Sequence, residues 1–165
     1  MWDDWESEFD GGKSEEAVLR GYRRAFNKAS VRNWGSTEEP CPTLGLEQEA
    51  DAKCIGSAFK FLDEQKDEIL ARLREREGSS FDIVEVEITL SDGRDVNAYT
   101  AINDTSEDTY LGDKSIEEIA KMIEDADGRD GECIEYVRNI RSRLEEQSIH
   151  DSAVEELWSA IERSS

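Results

Sequence analysis

At 165 residues and 18.7 kDa, the chain has room for one domain, 1–165, built around a single sizeable core. Its 41 Asp and Glu against 20 Lys and Arg give a net charge of −21, so nucleic acid and anionic membrane are poor partners, both being repelled. A hydrophobic fraction of 36% beside 37% charged residues is the composition of a disordered chain, but the apolar residues fall into periodic runs, which predicts a fold for most of its length.

The start, MWDDWESEFDGG, sets Trp2, Trp5 and Phe9 among five carboxylates with no helix or strand pattern, and residues 1–15 are predicted to be irregular. It lacks the positive flank and apolar segment of a signal peptide, and no run approaches the ~18 apolar residues of a membrane span. A cytoplasmic setting is the expectation. The basic residues are 13 Arg and 7 Lys, and such an excess of carboxylate with sparse Lys suits a salt-rich cytoplasm, where salt screens the self-repulsion. An ordinary acidic protein is the alternative.

EAVLRGYRRAF (16–26), interrupted by Gly21, predicts a first strand. Residues 33–46, with both prolines and two glycines, predict a loop. In CIGSAFKF (54–61) the alternation of Ile55, Ser57, Phe59 and Phe61 predicts a second strand. LDEQKDEILARLREREG (62–78) predicts a helix, with Asp63 as N-cap, Ile69, Leu70 and Leu73 on its apolar face, and Gly78 as its stop. FDIVEVEITL and DVNAYTAI, joined through Ser91-Asp92-Gly93-Arg94, predict a β-hairpin. Ser115 with Glu118 forms a capping box ahead of Ile116, Ile119, Ala120 and Ile123. After a break at GRDGE (128–132), ECIEYVRNIRSRLEEQ (132–147) and SAVEELWSAIERS (152–164) predict two more helices, the last filling the terminal segment 150–165. Strands early and helices late make an α+β domain.

Cys41, Cys54 and Cys133 are odd in number and scattered without a CxxC pair, which predicts neither a disulfide framework nor a zinc site. His150 is the only histidine, so acid–base chemistry falls to a carboxylate. Most acids simply solvate the surface. Glu77 differs in position: it ends a helix directly before Gly78, where partial burial beside Phe81 would raise its pKa toward general-base range.

GYRRAF (21–26), Ser30, Trp34-Gly35, PCPTLGL (40–46), CIGSAFKF, LREREG (73–78), SDGRDVNAYTAI, YLGDKSIEEIAKMI and GRDGECIEYV together resemble the ChaC-type branch of the γ-glutamylcyclotransferase superfamily, in that family's order across 17–149. The resemblance implies a small mixed β-barrel with flanking helices and a reaction without metal or other cofactor. In it, the free α-amine of a γ-glutamyl compound attacks its own γ-amide carbonyl, closing 5-oxoproline and releasing the amine or peptide. It implies Glu77 as base and acid. Phe81 stands where the family has an aromatic after that glutamate, and Tyr136 matches a Glu-Tyr pair at the start of a late helix. Tyr22, Arg23 and Arg24 fall on a barrel strand, where an arginine faces a substrate carboxylate or joins a structural ion pair. Trp34 covers the pocket or packs a loop.

One departure stands out. The family's glycine-rich Tyr-Gly-Ser turn, whose N–H groups cradle the γ-glutamyl group and the developing oxyanion, is absent from this chain. MWDDWESEFDGG fits the continuation of that turn, which implies a chain begun at an internal Met, lacking the first strand and inactive or nearly so as it stands. A barrel edge left open in that way would invite association, while the oligomeric state itself is not fixed by the sequence. The expected substrate is glutathione or γ-glutamylcysteine. A γ-glutamylamine cyclotransferase and a catalytically inactive small-molecule-binding module of the same fold are the alternatives.

Overall fold

The structure, a computed structural model, describes residues 13–78 and 80–164; the opening MWDDWESEFDGG lies outside the described residues. In order come β1 (Lys13–Ser30), β2 (Cys41–Lys60), a 3-10 turn (Asp63–Gln65), α1 (Lys66–Glu77), β3 (Phe81–Leu90), β4 (Asp95–Asn103) and α2 (Ile116–Asp125). The short strands β5 (Asp127–Gly128) and β6 (Gly131–Glu132) and the helices α3 (Cys133–Glu146) and α4 (Ser152–Ser164) complete the chain. This is the expected α+β architecture. One sheet has the order β2-β1-β3-β4, and β5 and β6 form a separate two-stranded ribbon. β1 runs antiparallel to β3 with Ala17 opposite Leu90 and Leu19 opposite Ile88.

The barrel expectation needs correction. β2 and β4 are the two outer strands, so among the described residues the sheet is open rather than closed into a barrel. Closure requires the outer strands to hydrogen-bond each other or a further strand between them.

Two long strands replace shorter predictions. β1 starts at Lys13, inside the segment expected to be irregular, and continues through Gly21, whose φ of 77° places a local irregularity that a side chain would strain. β2 starts at Cys41, so the predicted loop 33–46 ends earlier than its prolines and glycines suggested. The reason is position. Proline lacks the N–H a central strand needs, but β2 is an outer strand and Pro42 is its second residue. Asp63 is a further correction: it opens the 3-10 turn, and the helix proper begins after Gln65 without a side-chain cap.

The chain divides into two compact units, and both long strands contribute to each. The first gathers the chain up to Tyr22 and Gln48–Ile102. In it α1 lies on β3, with Ile69 and Leu73 buried against Phe59, Phe61 and Ile83. The β3–β4 turn closes as the Asp-Gly signal predicts, with the Leu90 N–H donating to Arg94 O at 2.8 Å and Gly93 at φ 85°.

The second unit gathers Arg23–Glu47 and Asn103 onward, and carries the larger core. α2 packs chiefly on α4 and also against α3, and Ile123, Val137, Val154 and Leu157 from the three helices are almost completely buried. The capping box is present in full: Ser115 Oγ accepts from the Glu118 N–H, and Glu118 Oε2 accepts from the Ser115 N–H at 2.8 Å. Replacing Ser115 by Ala removes one half of this exchange and is expected to cost about 1 kcal/mol of stability by urea unfolding. An unchanged midpoint would mean that water caps α2 equally well. Asp151 performs two tasks. Its Oδ1 accepts from the Val154 N–H at the start of α4, and its Oδ2 accepts from Arg24 at 2.8 Å.

The cysteine expectation also fails. Cys41 and Cys133, fully buried and 92 residues apart in sequence, form a disulfide with their Cα atoms 5.5 Å apart, while Cys54, also buried, lies outside the disulfide. Counting cysteines could not find this pair, because the fold alone sets the first residue of β2 beside the first residue of α3.

Candidate active site

Glu77 is the last residue of α1 and is half-buried. The helix stops there because Gly78 adopts φ 77°, closed off from any L side chain, while its N–H still donates to Arg74 O at 2.9 Å. Burial holds the Glu77 carboxyl above its ordinary value, and the neighbouring Arg76 guanidinium pulls in the opposite direction without cancelling it. Glu75, in the same LREREG segment, is exposed. Glu77 is displaced upward from ordinary carboxylate behaviour by its burial, the direction that suits a group which must accept and return a proton.

Phe81 opens β3 and is half-buried, in the same unit as Glu77. Tyr22 is half-buried on β1, directly after the irregularity at Gly21, and also belongs to that unit.

The other predicted residues fall in the second unit. Trp34, half-buried in the β1–β2 connection, and Tyr136, buried on the first turn of α3, are brought together with ring centroids 5.5 Å apart and planes tilted by 43°. The Tyr136 hydroxyl accepts from the Leu44 N–H at 3.0 Å, so this tyrosine ties α3 to β2. A Cβ at Gly131 would meet the Trp34 indole at 3.6 Å, an ordinary contact, so it is the φ of 126° that favours glycine there. Arg24 donates to Asp151, both side chains about one-eighth exposed, so the ion-pair alternative is the one the geometry forms. Arg23 pairs with Glu47 on a more open surface.

Sequence reasoning missed a polar cluster in this second unit. Asn27 of β1 and Asn103 at the end of β4 are buried and hydrogen-bonded to each other, directly over Gly45 of β2. The one available signal was Gly45 itself, since a glycine inside a strand often marks a close approach. Among the described residues, no group of three or more His, Cys, Asp or Glu is placed to hold a metal ion, and no helix is long and apolar enough to cross a membrane.

Comparison with known proteins gives the family. A family model described as ChaC-like protein matches residues 4–164. The chain is 30% identical to γ-glutamylcyclotransferase 2-3 of Arabidopsis thaliana, over 95% of this chain and 83% of that protein. It is 24% identical to the glutathione-specific γ-glutamylcyclotransferase of Escherichia coli K12, over 96% of this chain and 69% of that protein. Its fold matches the crystal structure of a yeast γ-glutamyl cyclotransferase specific to glutathione with a TM-score of 0.82 at 17% identity, covering 98% of this chain and 93% of that one. With a half-buried glutamate closing α1 and a family match running from residue 4 to residue 164, the chain belongs to the ChaC-like family.

Proposed function

We propose that this chain is a γ-glutamylcyclotransferase that converts a small γ-glutamyl peptide, glutathione or γ-glutamylcysteine, into 5-oxoproline and the free peptide or amine, in a cytoplasmic setting. The observation that carries the reading is Glu77, a carboxyl raised by burial in the segment that resembles the family's glutamate motif. The family match and its cyclotransferase relatives support it.

The chemistry asks little beyond position and one proton carrier. Glu77 takes a proton from the substrate α-ammonium, and the freed amine attacks the γ-carbonyl carbon. A C–N bond forms and a tetrahedral intermediate follows. Glu77 then gives that proton to the departing nitrogen as the original C–N bond breaks, takes the second proton that the attacking nitrogen must shed to become the lactam N–H and passes it to the freed amine, so that two protons cross between the nitrogens, Glu77 ends ionised as it began and no redox partner is needed. The attack is intramolecular, so a site that holds the glutamyl chain curled supplies much of the rate. For substrate contact we assign Tyr22 and Phe81, which belong with Glu77 to the first unit, while the Trp34–Tyr136 pair of the second unit packs a loop and a core edge, the other reading of those two residues. Arg24, engaged by Asp151, is assigned to holding the start of α4.

The test is direct. The chain is incubated with glutathione, γ-glutamylcysteine and γ-glutamylamines, and 5-oxoproline is followed by mass spectrometry. Product from either thiol peptide is expected, against the near-inactive chain that the missing Tyr-Gly-Ser turn implied. Product from the amines alone would make it a γ-glutamylamine cyclotransferase. No product from any of them would favour the binding module, the reading that the absent Tyr-Gly-Ser turn supports.

A further inference from the structure

The helix that carries Glu77 begins without the usual support. Its N-cap, Gln65, makes no side-chain cap, and its first residue, Lys66, sets a cation at the positive end of the helix dipole. A cation is unfavourable there unless something compensates it. The compensation comes from the hairpin. Lys66 Nζ lies 4.8 Å from the centroid of the Tyr99 ring on β4. A hydrogen bond with Tyr99 is the first cause that holds the Lys66 ammonium above its ordinary value, and the Glu85 charge adds in the same direction. Glu85 of β3 is itself held on both oxygens. Its Oε2 accepts from the Tyr99 hydroxyl and its Oε1 from Asn97 Nδ2, each at 2.8 Å. Asn97 and Tyr99, two residues apart on β4, share one face of the strand. All four residues belong to the same unit as Glu77.

The order along β3 connects this seat to Glu77. The helix ends at Glu77 and the strand begins at Phe81, so the chain reverses and β3 runs back along α1. Alternation puts Phe81, Ile83 and Glu85 on one face of β3, the face on which Ile83 meets Ile69 and Leu73. Phe81 therefore belongs to the Glu77 end of the helix, Ile83 to its middle and Glu85 to its Lys66 end. At 12 residues α1 is a stiff rod of about 18 Å. Its buried residues, Ile69 and Leu73, lie near its middle. A rod gripped at the middle pivots there, so lifting the Lys66 end displaces the Glu77 end as well.

We propose that Lys66 and Tyr99 are positioning residues for Glu77: seated on Tyr99, Lys66 holds the first turn of α1 against the hairpin and thereby fixes how deeply the last residue of the helix is buried. For what Glu77 does, this rests on the cyclotransferase reading. Without the seat the helix tilts, water reaches the carboxyl, and its proton affinity falls toward the ordinary Glu value. Misplacement of the proton carrier also slows transfer to and from the substrate nitrogens. A direct charge effect has the opposite sign, because deleting a cation makes a carboxylate easier to protonate. The sign of the change therefore separates the two causes.

The experiment follows kcat/KM for 5-oxoproline formation against pH in the wild type, Lys66→Met, Lys66→Arg and Tyr99→Leu. In parallel the Glu77 carboxyl is titrated by NMR on glutamate labelled at the carboxyl carbon, its signal being the one that Glu77→Gln lacks. Arg76, the charge acting on Glu77 from its own helix, and Asp82, the first charge of β3, are left in place. Lys66→Met keeps the aliphatic stem and a good helix former, so α1 still forms. Lys66→Met and Tyr99→Leu are both expected to lower kcat roughly two- to tenfold with a smaller change in KM. In both, the acid limb and the NMR titration should move down toward 4.5. Lys66→Arg keeps a cation over the ring and is expected to hold kcat within about twofold of wild type. If Tyr99→Leu does not fold, Lys66→Met, at an exposed position, carries the comparison. A lower melting temperature with both titrations unmoved would mean that the seat is structural alone, and would overturn the proposal. A titration that rises in Lys66→Met would overturn it too, as a charge effect. A wild type that forms no 5-oxoproline fails the cyclotransferase reading, and the Glu77 titration still decides the seat.

Discussion

Glu77→Gln is expected to lower kcat for 5-oxoproline formation by roughly 10²- to 10⁴-fold while leaving KM within a few-fold. The substitution keeps shape and removes only the proton carrier, so a loss confined to kcat isolates that role. Glu75→Gln, at the exposed glutamate two residues earlier, is expected to be neutral. Two pH effects follow from the direction of the Glu77 shift. The ionised form is the base, so the acid limb of kcat/KM is expected to inflect above the ordinary Glu value of 4.5, displaced by burial. The folded state binds this proton more tightly than the unfolded state does. The stability it contributes is therefore complete below 4.5 and falls as pH rises through the raised value. Glutamine has no such loss. The melting temperature of Glu77→Gln relative to wild type is thus expected to climb as pH rises from 4.5 through the raised value and then to level off. Full activity in Glu77→Gln, or a melting difference that does not change with pH, would move the proton carrier to another carboxylate.

Features of the fold set by neighbours in sequence were legible. Ser115 and Glu118 announce α2, Gly78 ends α1, and Asp92-Gly93 turns β3 into β4, each through bonds spanning a few residues. The two last helices follow from apolar spacing, with Val137, Ile140 and Leu144 of α3 and Val154, Leu157 and Ile161 of α4 all buried. What escaped was set at a distance. Pro42 and Gly45 read as loop residues until β2 is seen to be an outer strand with two amides pressed over Gly45. Asp63 has the right residue type for a cap, but a 3-10 turn places it three residues before the helix begins. Glu77 could be singled out from its helix-end position and the family motif, whereas the buried Asn27–Asn103 pair carries little sequence signal because it is made by residues of different strands meeting over Gly45.

Breaking the Cys41–Cys133 disulfide is expected to be the largest single loss of stability. The bond closes a loop of 92 residues, and the chain-entropy model assigns such a closure roughly 4–5 kcal/mol, mostly by restricting the unfolded chain. Urea unfolding with and without reductant, and of Cys133→Ser, should both show a loss of that order, with Cys54→Ser as the control that measures the cost of a hydroxyl at a buried cysteine outside the bond. A thiol titration in denaturant tests the pairing itself. Oxidised protein should present the Cys54 thiol alone, and reduced protein all three cysteines. Three thiols in the oxidised sample would remove the bond and the stability claim together. The location gives the bond a consequence beyond stability. Cys133 and Tyr136 share the first turn of α3, and their partners Cys41 and Leu44 are equally close together on β2, so the disulfide and the Leu44–Tyr136 hydrogen bond are successive rungs between the same two elements. Tyr136 in turn carries Trp34. Reduction is therefore expected to loosen the Trp34–Tyr136 pair before the remainder of the second core, visible as a change in tryptophan fluorescence at urea concentrations below the main unfolding transition. A fluorescence signal that moves only with that transition would mean the hydrogen bond holds the pair without the disulfide.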